Sequence, residues 1–193
     1  VMRTGGTTTK TGEELDEMLE KAGASVETYI GTTSGGARLS VLKEDIDMGL
    51  SVLADLLKNP AFRDDKIELS KITARSAISR RNDQVASIAG REFRRLIYGP
   101  NDPFARMTEY ATIENIEKKD LVEFHKKYFT PNNVIIAIWG DFNASDMKAK
   151  VEQIFGIWER KEVSLSKVPE PRLASGRSVN CIKKDDVNQS NMY

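Results

Sequence analysis

Residues 41–62 read VLKEDIDMGLSVLADLLKNPAF, and residues 124–142 read FHKKYFTPNNVIIAIWGDF. In the first block, apolar residues recur at helical spacing over residues 43–58, and Asn59-Pro60 predicts the end of the helix because proline cannot continue it. The residues on the predicted apolar face are Ile46, Leu50, Leu53, Ala54 and Leu57. In the second block, residues 134–139 form an unbroken apolar run, which is typical of a central strand covered on both faces.

The same patterns extend outward from these two blocks. Thr11 followed by Glu14 forms a capping box that predicts a helix start, and Gly23 predicts where this helix stops. The predicted elements are helix 11–22, strands 25–30 and 37–42, helices 64–81, 85–98 and 113–128, strand 134–139 and helix 144–155. This order predicts an α+β fold, with a mostly antiparallel sheet packed on one face by several helices.

The sequence also predicts a domain boundary. Residues 159–177, ERKEVSLSKVPEPRLASGR, are rich in Lys, Ser, Pro and Gly and show no periodic pattern, so we interpret them as a linker. One domain is then expected over residues 1–158, incomplete at its N-terminus, and residues 178–193 are expected to begin a second, truncated domain. The strand patterns in that last stretch cover residues 178–183 and 187–193.

The composition is that of an ordinary globular protein, with 39% hydrophobic and 30% charged residues. Lys plus Arg and Asp plus Glu both number 29, so the balanced charge argues against a nucleic-acid partner. No apolar run approaches the length of a transmembrane helix. Cys181 is the single cysteine, which excludes an internal disulfide and leaves the redox compartment undetermined.

The two quoted blocks resemble the insulinase/pitrilysin family of inverted-motif zinc peptidases, above all its short bacterial and mitochondrial processing-type members. The resemblance runs from Gly6 to about Trp158 and continues more weakly over residues 178–193. It implies the α+β architecture that the patterns also predict. For the family as a whole it implies proteolysis, in which a zinc-bound water attacks a peptide carbonyl.

The zinc site implied by the resemblance lacks its ligands in this chain. The family takes two histidines from a His-x-x-Glu-His helix and a glutamate from a later helix. Gly6-Thr7 matches the Gly-Thr pair that follows the motif, which places Val1 at the second histidine, and the later glutamate falls at about Ala77. Neither side chain binds a metal, so we expect no zinc ligand and no catalytic residue in this domain.

His125 is the single histidine of the chain. It lies on a predicted helix whose apolar stripe is formed by Leu121, Phe124 and Tyr128. Because no second histidine exists to pair with it, we interpret it as a structural imidazole. A general-base role is the alternative interpretation.

One functional element of the family needs no metal. The resemblance implies that the strand at residues 25–30 is an edge strand on which an extended substrate peptide lies, held by backbone hydrogen bonds. The candidate substrate-binding residues are Val26, Glu27, Thr28, Tyr29 and Ile30. The alternative is an ordinary sheet strand that a neighbouring element covers.

These observations favour a zinc-less, non-catalytic domain that binds extended peptide in a chamber completed by a zinc-bearing homologous subunit or domain. Zinc is then expected only in that partner. One alternative is a structural assembly subunit without a peptidase role, like the core subunits of respiratory complexes that resemble this family. Another is an active zinc peptidase whose ligands lie outside residues 1–193.

Overall fold

A computed structural model describes residues 1–167, 170, 176–177, 179–188, 190 and 192. Within them the chain forms helices and one antiparallel hairpin, so the fold is α+β, as predicted. The helices are α1 (Gly12–Lys21), α2 (Ile46–Lys58), α3 (Asp64–Ser79), α4 (Val85–Tyr98), α5 (Tyr110–Glu114), α6 (Lys118–Tyr128) and α7 (Ala144–Phe155). The strands are β1 (Ser25–Ile30) and β2 (Gly35–Ser40).

The sequence patterns predicted most helix boundaries well. The bounds of α4 and α7 match the predicted ranges, and the capping box of α1 is confirmed: Thr11 Oγ1 accepts from the Glu14 N–H at 3.1 Å, and the Glu14 carboxylate accepts from the Thr11 N–H at 2.7 Å. The predicted helix at 113–128 is instead two helices. A second N-terminal cap explains the break, because the Asp120 carboxylate accepts from the Glu117 N–H at 2.7 Å and starts α6 there.

The chain divides into two compact units, each of which is discontinuous in sequence. The first combines residues 1–70 with 116–165, and the second combines residues 71–115 with 166–193. None of the helices in the described part of the chain is long and apolar enough to cross a membrane. The linker expected at 159–177 remains a prediction.

Helix α2 is buried on two faces within the first unit. Val52 and Leu56 belong to an apolar cluster with α1 and β1, whose buried members are Leu15, Leu19, Val26, Val52 and Leu56. Leu50 and Ala54 belong to a second cluster with α7, whose buried members are Leu50, Ala54, Met147 and Phe155. The predicted apolar face missed Val52 and Leu56 because periodicity selects one face, whereas a helix between two layers buries two.

The predicted central strand at residues 134–139 is wrong for the part of the chain that the structure describes. These residues pair with no strand there, and residues 135–139 form no backbone hydrogen bond within it. Ile138 packs against the second cluster, but Ile135 and Trp139 are 97% and 74% exposed. An apolar run shows that a segment suits burial, but it does not show that the same chain supplies the neighbouring strand.

The strand patterns near the end of the chain have a similar outcome. Residues 179–188, 190 and 192 form neither a strand nor a helix. Residues 178, 189, 191 and 193, which belong to the same patterns, lie outside the described residues. The second, truncated domain expected at 178–193 therefore remains a prediction.

His125 connects α6 to the end of α2. Its Nε2 donates a hydrogen bond to the Leu57 carbonyl oxygen at 2.8 Å, and its ring stacks on Phe129 with centroids 4.7 Å apart. Phe62 meets the imidazole edge to face, with a centroid distance of 5.8 Å. Burial lowers the pKa of the imidazole below its ordinary value, so the fold favours the neutral ring. These contacts agree with a structural role for His125.

Replacing the buried Leu56 side chain by alanine tests how much the burial of α2 contributes to stability. Leu56 is 0% exposed, so Leu56→Ala should lower the free energy of unfolding by about 2–5 kcal/mol through lost contacts and a residual cavity. The matched control is Leu42→Ala in the same unit, where the leucine is 58% exposed, and its cost should stay below about 1 kcal/mol. Urea unfolding followed by circular dichroism measures both. Equal decreases in the free energy of unfolding for the two variants would contradict the placement of Leu56 in the core.

The pH dependence of stability tests the environment of His125. Its pKa in the folded chain lies below the ordinary value of 6.5, so the unfolded chain takes up the proton first as the pH falls. The free energy of unfolding should therefore decrease from about pH 6.5 downward through the folded-state pKa. His125→Gln and His125→Phe should both show a shallower decrease in urea titrations between neutral and acidic pH. If the free energy of unfolding of both variants fell with pH as steeply as that of the wild type, His125 would not be the titrating group.

Candidate functional site

The open edge of β1 is the structural feature that corresponds to the predicted peptide-binding strand. β1 pairs with β2 in an antiparallel register that runs from Ser25 opposite Ser40 to Ile30 opposite Gly35. No second strand pairs with β1 in the described part of the chain. Beyond the last pair, the Gly31 N–H donates to the Ser34 carbonyl oxygen at 2.7 Å and closes the hairpin.

The direction of the backbone groups along β1 follows from this register. In an antiparallel pair, the N–H and C=O of a residue point either both toward the partner strand or both away, in alternation. Gly31 and Ser34 form the hydrogen-bonded pair at the turn, and the direction alternates from there back along β1. The backbone groups of Ile30, Thr28 and Val26 therefore point away from β2. A bond from Arg3 Nε to the Val26 carbonyl oxygen, 3.2 Å long, agrees with this direction because Arg3 lies outside the hairpin.

The five predicted substrate-binding residues therefore divide into two sets. Val26, Thr28 and Ile30 direct their backbone groups to the open edge. Glu27 and Tyr29 direct theirs to β2, so only their side chains are available to a peptide. Their direction could not be predicted from residues 25–30 alone, because it depends on the pairing with β2.

Arg3 is a residue of this edge that the sequence did not indicate. Its side chain is only 16% exposed, forms an ion pair with Asp16 and occupies the carbonyl oxygen of Val26. No spacing or motif connects residue 3 with residue 26, so only the folded chain reveals the contact. Thr28 and Ile30 are consequently the positions where a peptide would find backbone groups to which no side chain of the described residues binds.

The Gly6-Thr7 segment, which matches the Gly-Thr pair of the family, is fastened to the C-terminal end of α2. Asp55 accepts hydrogen bonds from Thr9 Oγ1 and from Asn59 Nδ2, both at 2.8 Å. Burial alone would raise the pKa of Asp55, but hydrogen bonds from Thr7, Asn59 and Thr9 outweigh burial and lower it. Asp55 thus stays ionised and holds the N-terminal loop against the helix.

The positions that the resemblance assigns to zinc ligands carry no donor atoms. Val1 is a half-buried aliphatic residue, and Ala77 presents an exposed methyl group on α3. Among the residues that the structure describes, no three His, Cys, Asp or Glu side chains come together as a metal site. Zinc requires three or four nitrogen, sulfur or carboxylate ligands, and the residues present here do not fit that requirement.

Two family models match most of the chain. A model described as "Insulinase (Peptidase family M16)" matches residues 2–94. A model described as "Peptidase M16 inactive domain" matches residues 115–193. The resemblance seen in the two sequence blocks is therefore supported over both halves of the chain.

Curated relatives of the same family match at low identity. An uncharacterized zinc protease of Rickettsia felis is 22% identical over 161 residues, which are 82% of this chain and 39% of the relative. The uncharacterized zinc protease YmxG of Bacillus subtilis is 25% identical over 81% of this chain and 38% of its own length. The mitochondrial-processing peptidase subunit beta of Dictyostelium discoideum is 23% identical over 80% of this chain and 33% of that protein. The chain thus spans less than two fifths of these relatives.

Solved structures show the same fold. A peptidase M16 inactive domain from Pseudomonas fluorescens matches with a TM-score of 0.80 and 23% identity, over 89% of this chain and 42% of that one. A protease from Helicobacter pylori matches with a TM-score of 0.68 and 17% identity, over 89% of this chain and 41% of that one. At such identities these likenesses show the fold alone. The two family models, which match residues 2–94 and 115–193, show that the chain belongs to the insulinase family, peptidase family M16.

Proposed function

We propose that this chain is a non-catalytic, zinc-free domain that binds extended peptide while a zinc-bearing homologous subunit or domain performs hydrolysis. The observation that carries the proposal is the identity of Val1 and Ala77, which stand where a zinc peptidase of this family needs donor atoms. Two separate ligand positions carry side chains that cannot bind a metal, in a chain that keeps the family fold. A single inactivating substitution does not account for that.

A partner subunit or domain fits the comparisons. Residues 115–193 match a model described as an inactive domain, and one relative is named as a subunit of a processing peptidase. The relatives named as zinc proteases are also more than twice as long as the aligned segment. In the proposed assembly, this chain contributes one wall of a peptide-binding chamber, and the partner contributes the zinc and its bound water.

The open edge of β1 supports the peptide-binding part of the proposal. Pairing of an extended peptide with a strand requires free N–H and C=O groups at every second residue, and Thr28 and Ile30 provide them. Backbone pairing is insensitive to most side-chain changes, so it can persist after the zinc ligands are lost. Tyr29 and Ile30, which are 63% and 60% exposed, add apolar surface beside this edge.

Metal content tests the zinc-free part of the proposal. The chain is incubated with zinc, desalted and measured by elemental analysis, and we expect far less than one zinc per chain. His125→Gln serves as the paired variant, because it removes the single imidazole. Stoichiometric zinc in the wild type that disappears in the variant would place a metal site at His125 and overturn the proposal.

Proline substitution at the two edges of the hairpin tests peptide pairing. Thr28→Pro removes an N–H from the open edge of β1, and Ala37→Pro, directly opposite in the register, removes an N–H from the outer edge of β2. Fluorescence anisotropy with a labelled unstructured peptide should show roughly three- to tenfold weaker binding for Thr28→Pro and little change for Ala37→Pro.

The same titration separates the proposal from its structural alternative. A wild-type chain without measurable peptide affinity would favour an assembly subunit that has no role in peptidase action. Equal weakening by both proline variants would instead show that β1 is not the strand that the peptide joins.

A further inference from the structure

The second unit contains a cavity of about 360 Å³ that is dominated by arginine. The guanidinium groups come from Arg80, Arg81, Arg91, Arg94 and Arg106. No Asp or Glu is among the described residues that line this arginine cavity. The whole chain has a formal net charge of zero, so the local excess of positive charge is not a consequence of a generally basic composition.

Three separate segments of the chain bring these side chains together. Gln84, Ser87, Arg91 and Arg94 recur every three or four residues and therefore share one face at α4. Two arginines follow the end of α3, and Arg106 lies in the loop before α5. Because Arg106 comes 12 residues after Arg94 and no periodic pattern connects the two, the arginine cavity is visible only in the folded unit.

At least two of the positive charges at the cavity have no counter-ion among the described residues. Three of the five guanidinium groups have carboxylate partners, and one of these carboxylates, Glu92, is shared with Arg95 outside the cavity lining at 3.3 Å. These ion pairs are Arg80–Asp83 at 3.8 Å, Arg81–Glu109 at 2.9 Å and Arg91–Glu92 at 3.1 Å. Arg94 and Arg106 form no ion pair with any residue that the structure describes, and both are exposed.

Part of the cavity is held in a fixed geometry before any ligand binds. The Arg91 side chain is only 16% exposed, and its Nη1 donates to the Arg81 carbonyl oxygen at 3.4 Å. The Arg81 Nη1 in turn donates to the Thr108 carbonyl oxygen at 3.4 Å. These bonds join the start of the loop after α3, helix α4 and the loop before α5, so two of the five arginines, Arg81 and Arg91, are held in place before an anion arrives.

We propose that the arginine cavity binds a small oxyanion that carries two negative charges, of the phosphate or dicarboxylate class. Two unbalanced guanidinium groups match two negative charges, and the planar fork of arginine forms paired hydrogen bonds with phosphate and carboxylate oxygens. Ser87 and Gln84 add neutral donors at the same wall. The volume lies near the lower end of the range for small-molecule pockets, which suits a compact anion. This site is independent of peptide pairing at β1.

Isothermal titration calorimetry tests the site directly. The full 193-residue chain is titrated with inorganic phosphate and, separately, with succinate, both at constant ionic strength. We expect saturable binding that weakens at least about tenfold in Arg94→Gln/Arg106→Gln, because two charge-assisted interactions are lost. The charge-matched control is Arg160→Gln/Arg177→Gln, which removes two exposed arginines outside the cavity lining and should leave the affinity within about threefold.

A lysine variant separates a specific loss of anion binding from a loss of folding. Arg94→Lys/Arg106→Lys keeps both charges but loses the fork, and it should bind with an affinity between those of the wild type and the glutamine variant. The anion that binds more tightly identifies the class. No saturable binding of either anion up to about 10 mM would overturn the proposal. Unchanged affinity in the glutamine variant, or an equal loss in the control, would overturn it as well.

Discussion

Burial of α2 on two faces is the constraint on which the rest of the first unit depends. One face carries Val52 and Leu56 and fixes α1 and the inner side of β1, while the other carries Leu50 and Ala54 and fixes α7. The C-terminal end of the helix anchors the N-terminal loop through Asp55 and Asn59, and α6 through the Leu57 carbonyl. The open edge of β1 keeps its direction because Val26 is locked into the core that this helix organises.

The proposed loss of zinc ligands is compatible with the persistence of the family fold, because a zinc site and a protein core make different physical demands. A zinc site needs donor atoms at a few exact positions, and substitution at Val1 or Ala77 removes them without disturbing any apolar cluster. A core needs only apolar side chains of suitable total volume at the right spacing, and residues 41–62, which include α2, retain both. Recognition through a strand edge needs free backbone N–H and C=O groups, but it needs no metal ligand and no particular side chain. A domain of this family can therefore lose catalysis and keep a surface for extended peptide.

Local patterns predicted the local structure. The capping box of Thr11 and Glu14, the helix at Val85–Tyr98 and the helix end at Asn59-Pro60 depend on neighbouring residues, so the sequence was sufficient. Features that depend on distant residues escaped it: the second buried face of α2, the contact of Arg3 with Val26 and the arginine cavity. The alternation of backbone groups along β1 also needed the register with β2. Such features arise from packing between segments, which no window of sequence contains.

The exposed run at residues 134–139 has a consequence for the amount of this protein in a cell. Residues 135–139 form no backbone hydrogen bond with the residues that the structure describes, and an extended apolar segment in that state is a template for uncontrolled pairing with other chains. Copies without a strand beside this segment are exposed to aggregation and proteolysis, whereas copies that acquire one are protected. The steady-state level of the chain is thus expected to follow the supply of whatever polypeptide provides that strand.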